Sequence, residues 1–337
     1  MAITPSFLFD LESEMRVINV DAYAGFSKNL WHSRVMKVAP AGQSRRSMLA
    51  WLLSTAQIKD SGLGGNIEFD SIVSQYTEYT HNRASSGLKI HQDQLSDADG
   101  GGLDIAHKWA SDIGKYMAYW PQKQAIGLIK GGESGKGYDG QNFFSTAHPV
   151  DGKSSSVTFS NLISSVPIDA SVTTDVALAN LGNVFAAIRS VKMPNGEDPR
   201  FLRPLTIMGC PKLQPRIQQL TGAKFIAQAA ASGGGAADVE AVISNFGLNQ
   251  PIIADELGGF EETNYYVLCE EVAGDTVGGL VYMEREPFKI TYYTGSGGGT
   301  GVDAVLDRSL ELEWHVQGRN VAGYGHPYMI FKCKAGA

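Results

Sequence analysis

Asp139, Ser145 and His148 lie within ten residues of one another, and a carboxylate, a hydroxyl and an imidazole are the groups a hydrolase triad uses. Triads are assembled from distant segments, however, and no GxSxG nucleophile elbow surrounds Ser145. His148 precedes Pro149 and reads more simply as a turn residue. The run Gly131 to Gly137 resembles a phosphate loop but has Lys130 where the first glycine belongs and Gly137 where serine or threonine must follow Lys136. Gly295, Gly297, Gly298, Gly299 and Gly301 likewise miss the dinucleotide spacing, since Thr300 and Val302 stand where a third glycine would fall. A calcium loop opening at Asp97 would need an oxygen ligand at Gly101 and a glutamate at Lys108, so Asp93, Asp97, Asp99 and Asp104 read as a solvated face or helix cap. The seven histidines show no HExxH pattern, and Cys210, Cys269 and Cys333 form no CxxC pair. We therefore expect no catalytic residue, no cofactor and no metal site; the cysteines read as small buried hydrophobes.

With chemistry set aside, the elements themselves become the subject. The 337 residues are 43% hydrophobic and 19% charged, enough for one large domain or two modest ones. A formal charge of −7 argues against a dedicated nucleic-acid binder. Asp10, Glu12 and Glu14 occupy the place where a secretory signal needs a basic start and an apolar core, so export is not expected. No apolar run approaches the roughly 18 to 20 residues of a membrane helix.

Along the chain, Pro5, Pro40 and Gly42 punctuate a leading arm with one helical piece and a loose strand near Val35 to Val38. Polar-apolar alternation over Ile67 to Tyr79 and Leu88 to Gln92 predicts a hairpin, long enough at about 3.3 Å per residue to reach past its own domain. A long helix is expected to open near Asp104, with Ile105, Trp109, Ile113, Tyr116 and Trp120 on one face and a kink or restart at Pro121. A second amphipathic helix is expected over Thr174 to Ser190 and a short one over Pro211 to Leu220, with a small-residue loop from Ala227 to Ala237. Strands are expected at Phe201 to Met208, Ile252 to Ala254, Tyr265 to Cys269, Phe288 to Tyr293, Leu310 to Val316 and Tyr328 to Cys333. The mixture suits a two-layer α+β architecture.

Two segments carry a resemblance. The run Tyr138-Asp139-Gly140-Gln141-Asn142-Phe143-Phe144-Ser145-Thr146-Ala147-His148-Pro149, after a long helix, resembles the corresponding stretch of the Mu-like major head subunits of tailed bacteriophages. So does the ending Val316-Gln317-Gly318-Arg319-Asn320-Val321-Ala322-Gly323-Tyr324-Gly325, and the opening Ile3-Thr4-Pro5 is similar too. The resemblance implies the tailed-phage major capsid fold: an N-terminal arm over residues 1–57, an extended β-hairpin loop over 58–100, and a peripheral domain over 101–165 with a spine helix from Leu103 to Lys130. It further implies an axial α/β domain over 166–282 and return strands of the peripheral domain over 283–337.

The same resemblance implies a non-enzymatic shell subunit that forms pentamers and hexamers of itself around double-stranded DNA. Its partners would be a portal protein, a scaffold or protease during assembly, and a decoration protein, with DNA touched only by weak non-specific contact and no membrane. It would be assembled in the bacterial host cytoplasm and end in the virion capsid. The alternative from the same fold is the shell of a prokaryotic nanocompartment enclosing protein cargo.

Overall fold

A computed structural model describes residues 5–52, 74–96, 101–153, 155–222, 225–228, 237–240, 248–271, 278–292 and 311–336. In chain order the elements are α1 (Pro5–Ser27), α2 (His32–Val35), β1 (Met36–Val38), β2 (Arg46–Leu52), β3 (Ser74–Thr80), β4 (Asn82–His91), α3 (Gln92–Ser96) and α4 (Gly102–Gly131). Then follow β5 (His148–Pro149), β6 (Thr158–Phe159), β7 (Leu162–Ile163), α5 (Thr174–Arg189), β8 (Leu202–Gly209), α6 (Gln214–Gly222), β9 (Phe225–Gln228) and β10 (Ala237–Glu240). The chain closes with β11 (Ile252–Ile253), β12 (Tyr265–Glu271), β13 (Leu280–Tyr292), β14 (Glu311–Tyr324) and β15 (Ile330–Cys333).

Two sheets organise the molecule. The first has four strands in the order β1-β13-β14-β4, crossed by α4. The second has five in the order β11-β8-β12-β15-β7, and α5 and α6 pack on β8. The main core joins the two: Trp31, Val35 and Met36 and the end of α4 (Ala125, Ile126, Ile129) pack in one cluster with Leu181, Phe185 and Ile188 of α5 and the inner face of β8 and β12. Helix α5 starts where expected, because the Thr173 hydroxyl accepts from Val176 N at 3.5 Å and caps the first turn.

Several expectations need correction. Among the described residues the anticipated hairpin between Ile67 to Tyr79 and Leu88 to Gln92 is not seen: β3 pairs with β2, β4 pairs with β14, and residues 67–73 lie outside the described residues. Alternation marks which residues form strands but does not choose partners. Helix α4 runs through Pro121 without restarting; its opening cap is Gly101 at φ 63, with Asp104 in the first turn rather than at the cap. The face it buries is not the large-residue stripe. Gly102, Ala106, Ala110, Gly114 and Ala118, spaced by four, are buried, whereas Ile105 and Tyr116 are exposed. Small side chains win that face because α1 lies against it so closely that a Cβ on Gly114 would stand 2.5 Å from the Asn19 carbonyl oxygen. The stretch Ala227 to Ala237 is in part a ribbon, β9 with β10. The last strand, β15, joins β12 and β7 in the five-stranded sheet instead of returning beside β13 and β14. Asp97, Asp99 and the glycine-rich link at 295–301 lie outside the described residues.

Candidate functional site

The two segments that carry the resemblance, 138–149 and 316–325, meet in one knot although they lie far apart in the chain. Phe143 stacks on Tyr324 with ring centroids 4.6 Å apart, and the Tyr324 hydroxyl donates to Leu128 O at 3.0 Å near the end of α4. Gly135 must be glycine here, because a Cβ would overlap the Tyr324 ring. From the other side the Tyr79 hydroxyl of β3 donates to Tyr324 O at 2.6 Å, and its ring occupies the space that Gly323 leaves open. The glycines of the motifs thus permit close approach of aromatic rings rather than cradling a phosphate. The Gly131 to Gly137 run closes the C-terminus of α4, with Gly135 N bonded to Gly131 O at 2.8 Å; a phosphate loop would precede a helix.

Asp139 and His148 do come together. His148 Nδ1 lies 2.6 Å from Asp139 Oδ2, and the two side chains are 0% and 1% exposed. Ser145 does not complete a triad. His148 Nε2 faces Asn161 Oδ1 at 3.1 Å, and that oxygen also accepts from Ser145 N at 2.9 Å. Asn161 cannot turn away, since its Nδ2 donates to Phe143 O at 2.7 Å and Pro327 O at 2.9 Å. The imidazole is committed on both nitrogens, stacked on Phe159 and closed to water. The arrangement clamps β5 to the knot; it is not placed to activate a nucleophile. Sequence reasoning picked out His148 and Asp139 by proximity but had no signal for Asn161.

The β2–β3 ribbon is rooted in the same knot. Trp51 is buried, stacks on Tyr138 at 5.2 Å and donates from Nε1 to Thr77 Oγ1 at 2.8 Å. At the point where β3 passes into β4, His81 is buried, with Nε2 at 2.6 Å from Ser47 Oγ and its backbone N–H bonded to Arg45 O at 2.9 Å. On the ribbon's opposite face Met48 and Tyr76, which the pairing places on one side, are 67% and 62% exposed beside the Arg46–Glu78 ion pair. Helix α1 repeats the pattern, burying Leu11, Met15 and Asn19 against α4 and presenting Phe9, Val17 and Val20 at 60% exposure or more. These two exposed surfaces, on α1 and on the β2–β3 ribbon, are the candidate functional site.

Nothing among the described residues argues for a cofactor. No group of three or more His, Cys, Asp or Glu side chains could hold a metal, and no described helix is long and apolar enough to cross a membrane. All three cysteines are buried and free. Burial pushes the Cys333 thiol up to about 12 and the Cys269 thiol well above its usual range, which keeps both unreactive. Asp93 stands 3.3 Å from His91 instead of in a ligand cluster.

Comparison with known proteins agrees with this geometry. Residues 14–174, a little under half of the chain, match the family model described as Mu-like prophage major head subunit gpT. That span holds most of α1, the ribbon, α4 and the Asp139–His148 clamp. Among solved structures, the procapsid of bacteriophage JBD30 aligns with 98% of this chain and 75% of its own at 17% identity, with a TM-score of 0.52. A structure from Microbacterium phage Oxtober96 aligns with 90% of each chain at 11% identity and a TM-score of 0.47. The capsid of an empty GTA particle aligns with 90% of this chain and 89% of its own at 12% identity and a TM-score of 0.48. No curated protein matches. The JBD30 alignment carries the fold, and the match over residues 14–174 favours a phage head subunit over the nanocompartment alternative. The chain has the fold of phage capsid proteins, and over residues 14–174 it is similar to the Mu-like major head subunits, which supports a structural capsid role.

Proposed function

We propose that this chain builds an icosahedral phage head from pentamers and hexamers of itself around double-stranded DNA, and that it grips its neighbours through α1 and the β2–β3 ribbon. The observation that carries this reading is the exposed apolar side chains on those two elements, Phe9, Val17 and Val20 on α1 and Met48 and Tyr76 on the ribbon. A lone subunit gains nothing from exposing them, whereas a closed lattice covers each with an adjacent copy. In the domain reading, α1 belongs to the N-terminal arm, the ribbon to the extended loop, α4 and the four-stranded sheet to the peripheral domain, and the five-stranded sheet with α5 and α6 to the axial domain. The ribbon's base begins at Arg46, upstream of residue 58.

Further partners follow from the same reading. A portal protein, a scaffold or protease, and a decoration protein would act during and after assembly in the host cytoplasm, and the chain itself would catalyse nothing. With a net charge of −7, packaged DNA would slide along the inner wall, since each phosphate contact adds salt-dependent affinity. The ribbon can be tested by excision, because Arg45 O and His81 N are already hydrogen-bonded at its base. Replacing residues 46–80 by a short Gly-Ser linker is expected to leave a soluble subunit that forms no shells in electron micrographs. Normal shells from that variant would remove the ribbon from the assembly contacts.

A further inference from the structure

Helices α1, α2 and α4 and strand β13 enclose a cavity of about 590 Å³ whose apolar wall includes Met36, Met117 and Phe288. Two polar atoms of its lining residues are buried without partners. Tyr282 is 7% exposed and its hydroxyl is buried without a hydrogen bond. His32 Nδ1 is buried and equally bare. Pro121, also in the wall, has no N–H to give, so the Met117 carbonyl one turn earlier loses its helical donor. Buried polar atoms in native proteins are nearly always satisfied, so two at one cavity point to a missing group.

The charge of that group follows from the strand. Glu284 sits two residues from Tyr282 on β13 and therefore on the same face of the sheet. It is exposed at the cavity's edge, and among the described residues no cation lies within ion-pair distance of it; desolvation on its cavity side raises its carboxyl above the usual range. Lys37 reaches the cavity edge but alternates to the other face, its partner in register being Val281. Burial also lowers the basicity of His32, so the ring is neutral and offers Nδ1 as an acceptor when the proton is on Nε2. The cavity thus presents an imidazole nitrogen and, at its edge, a carboxylate, both acceptors, beside a hydroxyl and an apolar wall. A guanidinium or ammonium on a hydrocarbon stem is the complement.

We propose that this cavity is a socket for a lysine or arginine side chain delivered by a second copy of the chain. The proposal rests on the capsid reading, which supplies the second copy. Around the mouth, Val20, Tyr23 and Val38 are 62%, 44% and 79% exposed, an apolar rim of the kind that excludes water from a central polar contact. The chain has cations to spare: Lys28, Arg45 and Lys108 are exposed and make no ion pair among the described residues.

The test compares Glu284→Gln and Tyr282→Phe with Glu286→Gln, a control two residues along the strand whose carboxylate pairs with Arg319 at 3.4 Å. The readout is the concentration of free subunit left at equilibrium with shells, measured by sedimentation at low and high salt. Glu284→Gln is expected to raise it about tenfold and to weaken its salt dependence, in line with one lost charged contact per subunit. Tyr282→Phe should raise it less, and the control not at all, while the unfolding midpoint of the free subunit stays the same in all three. A density map of the shell should show a basic side chain of an adjoining copy in the socket. A socket holding only water or a foreign chain overturns the proposal, as does Glu284→Gln assembling like the unmodified protein. Failure of the unmodified chain to form shells at all would sink both this proposal and the capsid reading, so the two failures are distinguishable.

Discussion

His81 stands alone between β3 and β4, at the point where the ribbon leaves the sheet, and its ring is buried. Burial first, and the positive charge of Arg285 second, hold its pKa below the ordinary 6.5. The unfolded chain therefore takes up this proton before the folded one does. Stability is unaffected above pH 6.5 and falls as the pH drops from 6.5 toward the lowered folded value. Denaturant unfolding of His81→Gln at pH 7 and pH 5 should show a smaller pH-dependent loss than the unmodified chain; an equal loss would place the titration elsewhere.

Lys332 is the other decisive residue. It is 1% exposed and lies 2.5 Å from both Glu133 Oε1 and Glu261 Oε1, tying the turn after α4 to the five-stranded sheet. Glu261 holds its side chain there from a left-handed backbone, φ 49, with the Tyr266 hydroxyl donating to its second oxygen at 3.0 Å. Lys332→Met should cost about 3 kcal/mol, the low end for breaking a buried pair because both carboxylates are partly exposed. Adding Glu261→Gln should recover part of that loss in the same unfolding experiment. None of this network was legible in the sequence, where Lys332 is one polar residue in an apolar strand and its partners lie 71 and 199 positions away. Asp139 and His148 were noticed because they are neighbours in the chain, yet only their burial and the fixed orientation of Asn161 show a clamp.

Among the elements, α5 and the strands β8, β12 and β15 were readable because one-sided burial imposes a period on them. Leu181, Phe185 and Ile188 are all buried as their spacing requires. The spine helix was found but turned the wrong way, for a reason that size alone explains. Hydrophobic spacing favours the face with Trp109, Ile113 and Trp120, whereas helix-to-helix distance favours the Gly and Ala face, and α1 takes the second. Gly114→Ala would drive a Cβ to 2.5 Å from Asn19 O, so its helix-propensity gain of about 1 kcal/mol should be outweighed by an overpacking cost of about 1–3 kcal/mol and α1 should loosen. Gly127→Ala in the same helix meets nothing within 4 Å and should stabilise by about 0.5–1 kcal/mol. Thermal unfolding and circular dichroism of the unassembled subunit separate the two; stabilisation by both would mean that α1 does not sit on the Gly114 face. Strand pairing was the least legible feature. The β2 partner of β3 lay in a segment read as part of the arm, and nothing local in Ser47, Leu49 or Trp51 announces that Tyr79, Thr77 and Gln75 lie opposite them.

At the scale of the whole molecule, two sheets share one core, and α1 and the β2–β3 ribbon carry apolar side chains that no other described residue covers. That division of labour explains how a chain with no catalytic constellation among its described residues, and a modest negative charge, keeps two motifs built of glycine and aromatic residues. Gly135 and Gly323 let Tyr324 and Tyr79 close the knot from which the ribbon emerges, so the motifs fix where the subunit reaches outward. Many weak contacts made by such arms add up over a closed lattice, where each subunit is held by several neighbours at once. Electron microscopy of the purified full-length protein, expressed alone and together with its genomic neighbours, tests this most directly. Closed polyhedral shells of uniform size are the expected result; a monodisperse monomer under every condition would contradict it.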